Sequence, residues 1–110
     1  MMSEYTPDRW VVLEFVTPQE TIRKVFAGWY GGFAGSDTWR LNSGITQIRE
    51  KDGVFEFDGY SNSTYYCAYN SYGMNSYMYA VLQNWVNKAE KDSSIEINII
   101  QLDDIVAEAH

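Results

Sequence analysis

The chain has one cysteine, Cys67, and one histidine, His110, which is its last residue. A single cysteine allows no internal disulfide, and a reducing compartment is the setting it fits. One cysteine and one histidine cannot supply the four ligands of a zinc site. A Ser-His-Asp triad or a Cys-His pair would have to draw on the terminal His110, so nucleophilic catalysis finds no support. EF-hand and dinucleotide fingerprints are missing. Neither a metal nor a cofactor is therefore expected. Long apolar runs are absent too. Nothing approaches the ~20 apolar residues of a membrane span, and Trp10–Leu13 is too short for a signal core. No membrane partner is expected, and without a secretory signal the Asn62-Ser63-Thr64 sequon is read as chance.

Positive charge is scarce. Lysine and arginine number 8 against 15 acids, for a net charge of −7. Glu90 to His110 holds six acids and only Lys91 to balance them. Such a chain repels phosphate backbones, so direct nucleic-acid binding is not expected. The same acids leave one alternative open. Glu90, Asp92, Asp103, Asp104 and Glu108 are the residues an acidic mimic of nucleic acid would place in a basic groove.

Charge of either sign vanishes between Gly59 and Asn87, and that window holds the most informative feature present. Seven of the nine tyrosines lie in YSNSTYYCAYNSYGMNSYMY, Tyr60 to Tyr79. Tyrosine mixed with serine, asparagine and glycine is the composition of recognition loops, with rigid amphipathic rings beside adaptable hydrogen-bonding groups. Core packing accounts for about half of these rings. A ligand cleft, a protein partner or a self-complementary homodimer surface would account for the missing charge on the rest.

The candidate binding residues are Tyr60, Tyr65, Tyr66, Tyr69, Tyr72 and Tyr77, joined by Trp39, Arg40 and Asn42. Arg40 is the only positive charge between Lys24 and Arg49. Beside Trp39 it could fork onto a carboxylate or phosphate, with an aromatic plane at hand for stacking. The blander readings are an arginine lying over Trp39 or paired with Asp37. Cys67 reads as a small buried hydrophobe, since no cation near it in sequence would hold a thiolate.

At 110 residues the chain reads as one domain, residues 1–110, able to bury about two-thirds of its unfolded surface. Trp10–Val16 is apolar on both alternating faces apart from Glu14, which suits an interior strand. Ile22–Tyr30 and Thr38–Leu41 are further strands, joined by the glycine-rich GGFAGSD. That loop leads into a strand and not a helix, so the phosphate-loop reading loses to a hairpin loop. Ile45–Arg49 and Val54–Asp58 form a hairpin on the Asp52-Gly53 turn signal, with a bulge near Ile45–Ile48. Thr64–Tyr69 is the next strand. Met78, Val81, Leu82, Trp85 and Ala89 mark one stripe of a helix capped at Asn75 or Ser76. Ser94–Ile100 alternates as a strand, and a short helix led by Asp103 and Asp104 ends the chain. The expected class is α+β: an antiparallel sheet of about five to six strands, one main helix on its apolar face, and a short terminal helix. Within it, Glu56 and Asp58, two apart on one strand face, are a carboxylate pair that could do acid–base work in a small enzyme. Their alternation with Phe55 and Phe57 reads more simply as a solvated strand face.

The segments KVFAGWYGGFAGSDTWRLNSGI, FEFDGYSNSTYYC and SYGMN resemble small accessory proteins encoded by tailed bacteriophages, over about half the chain. The resemblance implies action in the cytoplasm of an infected bacterial host, where such proteins blunt defence by gripping a host defence protein or sequestering a nucleotide-like small molecule. It carries over no catalytic residue. The expected function is non-enzymatic binding of one of those two partners.

Overall fold

The computed structural model describes residues 2–32, 35–92 and 94–109. Among them, eight strands form two four-stranded sheets accompanied by two α-helices. In the first sheet the order is β1 (Ser3–Tyr5), β7 (Ser63–Ala68), β6 (Val54–Gly59), β5 (Ile45–Lys51). In the second it is β4 (Thr38–Leu41), β3 (Thr21–Trp29), β2 (Arg9–Val16), β8 (Glu96–Ile100). Every pairing is antiparallel except β1 with β7. The helices are α1 (Ser76–Asp92) and α2 (Leu102–Ala109).

The α+β class expected from the sequence is present, with two sheets in place of one. The reason lies in β2. Trp10 and Val12 point into a core shared with Phe55, Phe57, Tyr65 and Cys67 of the first sheet. Val11 and Leu13 point the other way, where with Phe26 they bury Met78 and Leu82 of α1. A strand apolar on both faces is a middle layer: the second sheet lies between the first sheet and the helix. Each fully buried large side chain contributes about 1.5–3 kcal/mol, and both faces of β2 collect that gain. The short strand β1 was not legible as a strand; it adds to the sheet edge by parallel pairing, Tyr5 opposite Tyr65.

Local chemistry explains several joints. Asp52 and Gly53 both take positive φ, 54° and 78°, the tight hairpin turn their sequence calls for. The β5–β6 register shifts between Ile45 and Gln47, at the expected bulge. Asn75 Oδ1 accepts the Met78 amide at 2.8 Å and caps α1. Asp103 and Asp104 occupy the first turn of α2. Tyr69 departs from expectation by leaving β7 for a single 3-10 turn, Tyr69–Ser71. Among the described residues no helix is long and apolar enough to cross a membrane.

Candidate functional site: a polar hollow under Arg40

Where the edges of the two sheets meet, β1 and β7 face β3 and β4 across a hollow of about 310 Å3. Arg40 stands at its centre of charge. Its guanidinium carbon lies 4.5 Å from the Tyr5 ring centroid, and it makes no salt bridge among the described residues. Asp37, one candidate partner, instead accepts the Gly31 amide at 2.9 Å. Tyr5 is fixed from two other sides, with Tyr65 at 4.9 Å and Trp29 edge-on at 6.2 Å. Burial pushes the Tyr65 phenol up to about 12, while the Arg40 charge pulls it back.

Asn42 closes the floor. It is 3% exposed. Its amide donates to the Val25 carbonyl at 3.0 Å, and its Oδ1 accepts the Val25 amide at 2.8 Å, so the side chain continues the β3–β4 ladder where backbone pairing ends. Its Nδ2 is left buried, with no protein acceptor among the described residues. An unmade donor of this kind costs about 1–3 kcal/mol. Gly59 allows the approach, because a Cβ there would sit 3.1 Å from both Asn42 Nδ2 and Ser43 Oγ. Four hydroxyls, those of Ser3, Ser43, Ser61 and Ser63, complete the wall. Lys24 borders it as well, with its ammonium drawn 5.9 Å from the Phe15 ring. No aspartate or glutamate lines the hollow. A guanidinium, a free amide N–H and several hydroxyls with no competing carboxylate form a donor-rich cradle suited to an oxyanion.

Of the sequence-based candidates, Arg40, Asn42 and Tyr65 meet here. Trp39 does not. Strand alternation turns it to the opposite face of the second sheet, where it lies 5.9 Å from Phe26 and 5.1 Å from Trp85. The expected Trp39–Arg40 stacking pair is therefore replaced by Tyr5–Arg40. Tyr69 stacks on Phe55 at 4.6 Å, and Tyr72 meets Trp10 edge-on at 5.2 Å while donating to the Ile100 carbonyl at 2.7 Å. Both are half-buried and packed against the core. Tyr66 points outward and donates to Glu4 at 3.2 Å. Tyr77 stands 40% exposed on α1, and Tyr60, 74% exposed, immediately precedes Ser61 of the hollow's wall. Sequence reasoning missed Tyr5 and the serines. Serine carries no periodic signal; the β1–β7 pairing sets Ser3 opposite Ser63, and Ser43 Oγ accepts the Ser61 amide.

Elsewhere, Glu56 and Asp58 share the outer face of β6 with Arg49 of β5. Asp58 accepts both Nη atoms of Arg49, at 2.7 and 2.9 Å, and Thr64 Oγ1 at 2.8 Å. The Arg49 contact above all holds its carboxyl below the ordinary range, so it is kept ionised and paired. On the far edge of the sandwich a cleft of about 370 Å3 opens beneath α2. Its one cation, Arg23, is already bracketed by Glu14 and Glu108. Cys67 is buried, and burial pushes its thiol up. His110 lies outside the described residues. Among those residues no cluster of histidine, cysteine and carboxylates could hold a metal.

No protein-family model matches the chain, and neither a curated protein nor a solved structure matches it.

Proposed function

We propose that this is a non-enzymatic binding protein that sequesters a phosphate-bearing, nucleotide-type small molecule in the hollow under Arg40. The observation that carries the reading is the convergence of an unpaired guanidinium with the orphaned Asn42 Nδ2, in a lining without a carboxylate, on a chain of net charge −7. A protein that repels anions overall gains selectivity for a small one by presenting a single uncompensated cationic cradle. The resemblance to phage accessory proteins supplies the setting: the cytoplasm of an infected bacterium, with a nucleotide signal of host defence as the cargo. The acidic-mimic reading is less well supported, since Glu108 is occupied by Arg23.

The test is titration with inorganic phosphate and with nucleoside monophosphates, followed by ligand-dependent thermal stabilisation. Ligand at a hundred times its Kd stabilises the wild type by about 2.7 kcal/mol. Arg40→Ala keeps the fold and loses that gain. Equal stabilisation of variant and wild type would remove the hollow from consideration.

A host defence protein is the second reading, and one surface favours it. Trp39, 39% exposed against Trp85, neighbours an α1 on which Tyr77 and Tyr79 are 40% and 55% exposed. Exposed aromatic rings on an uncharged helical surface are what protein partners cover, whether a host polypeptide or a second copy of this chain. Substituting Trp39 and Tyr79 with serine would abolish capture of such a partner and leave anion binding untouched.

A further inference from the structure

We infer that the exposed ring of Tyr60 is the platform on which the ligand's base stacks, so that the hollow takes a nucleotide as a whole and not merely its phosphate. This rests on the reading of the Arg40 hollow as a phosphate site. Tyr60 is 74% exposed, the most exposed of the large hydrophobic side chains among the described residues. Unlike Tyr5, Tyr65, Tyr69 and Tyr72, it has no aromatic neighbour among the described residues. It is nevertheless held in place. The Tyr60 amide donates to the Gly44 carbonyl at 3.2 Å, and the Ser61 amide donates to Ser43 Oγ at 2.8 Å. Those bonds tie the Tyr60 turn to the segment that carries Asn42.

One side of the ring rests on Gly44, whose φ is +131°. A Cβ at Gly44 would lie 2.9 Å from Tyr60 Cδ2 and Cε2, so only glycine lets the ring settle there. Its chain neighbours on both strands of this contact, Ser43 and Ser61, line the hollow. The ring thus keeps a face in water, and Ser61, which follows it in the chain, belongs to the wall of donors. An exposed, backbone-braced aromatic beside an oxyanion cradle has the layout of nucleotide recognition: phosphate on guanidinium, base on ring. Stacking accepts any base, because every base has a π-face. The ligand class is a nucleotide, with little discrimination among bases from Tyr60 itself.

The experiment compares three probes by titration calorimetry: inorganic phosphate, ribose phosphate and adenosine monophosphate. The wild type should bind adenosine monophosphate about tenfold or more tighter than ribose phosphate, the gain ordinary for one stacked base. Tyr60→Leu, which keeps an apolar contact with Gly44 but lacks a π-face, should erase that difference and leave phosphate binding unchanged. Tyr60→Trp should keep or enlarge it. If adenosine monophosphate binds no tighter than ribose phosphate, or if Tyr60→Leu preserves the difference, the platform is refuted while the phosphate site stands. If no probe binds, or Arg40→Ala binds all three as the wild type does, the phosphate site fails and the platform falls with it.

Discussion

Arg40 rests on the face of Tyr5, guanidinium carbon to ring centroid 4.5 Å, and so joins strand β4 of one sheet to strand β1 of the other. The contact holds the cation over an aromatic plane and not against a carboxylate, which leaves its N–H fork free for a ligand.

Removing that side chain should do little to the fold. A cation–π pair at an exposed site contributes about 0.5–1 kcal/mol. Arg40→Ala is expected to lower the urea-unfolding free energy by no more than that. It should also move one phenol. Arg40 partly offsets the burial that pushes Tyr65 up to about 12, so the variant's Tyr65 titrates higher still. Site-resolved NMR of the Tyr65 ring at alkaline pH checks the direction. A phenol that does not move upward would show that the Arg40 charge does not offset the burial of Tyr65.

Trp10 ties the central sheet to the first one. It is fully buried, meets Phe55 and Tyr72 edge-on and Phe57 at a tilt, and donates Nε1–H to the Ala68 carbonyl at 2.7 Å. Trp10→Phe strands that carbonyl and opens a small void. A loss of about 2–4 kcal/mol is expected from the two effects together. Denaturant midpoints of the wild type and variant decide it.

Much of this was legible in the chain. The hairpin at Asp52-Gly53, the α1 stripe, its cap at Asn75 or Ser76 and the terminal helix all followed from local periodicity and turn chemistry, which need no knowledge of distant residues. The second sheet was half-legible. The apolar character of β2 on both faces announced an interior strand, but not that a sheet would cover one face and a helix the other. The hollow was legible only in fragments. Arg40 stood out because cations are few, and Asn42 came in only as part of the segment around it. Tyr5, Ser3, Ser61 and Ser63 reach the same place through non-local pairing, which carries no local sequence signal. Trp39 was misplaced for a simpler reason. Adjacent residues on a strand face opposite sides, so Trp39 and Arg40 could not share one ligand.

The layer between sheet and helix is tight at Gly28. A Cβ there would come within 2.7 Å of Met78 Cγ and would collide with Sδ. Gly28→Ala should destabilise by about 1–3 kcal/mol through overpacking. Met78→Ala alone opens a cavity. The pair together should cost less than the sum of the singles, because the new methyl fills part of the space that the thioether vacated. A double-mutant cycle measures that coupling, and strict additivity would mean that α1 shifts away instead.

The outer face of the first sheet should report itself through pH. Asp58 accepts two hydrogen bonds from Arg49 and one from Thr64, and the Arg49 bonds are the largest cause of its lowered pKa, against an opposing effect of burial. A carboxylate whose folded pKa lies below its unfolded value, about 3.9, stabilises the protein fully above that value. The contribution disappears as pH falls through the folded pKa. The wild type should therefore lose stability below about pH 4 more steeply than Asp58→Asn, which has no proton to take up there. At neutral pH the variant is the less stable of the two, and the gap between them narrows on acidification. Urea midpoints taken in steps from about pH 6 to about pH 2 give both curves. Parallel curves across that window would assign the acid sensitivity to other carboxylates and leave the Arg49–Asp58 pair without a measurable role.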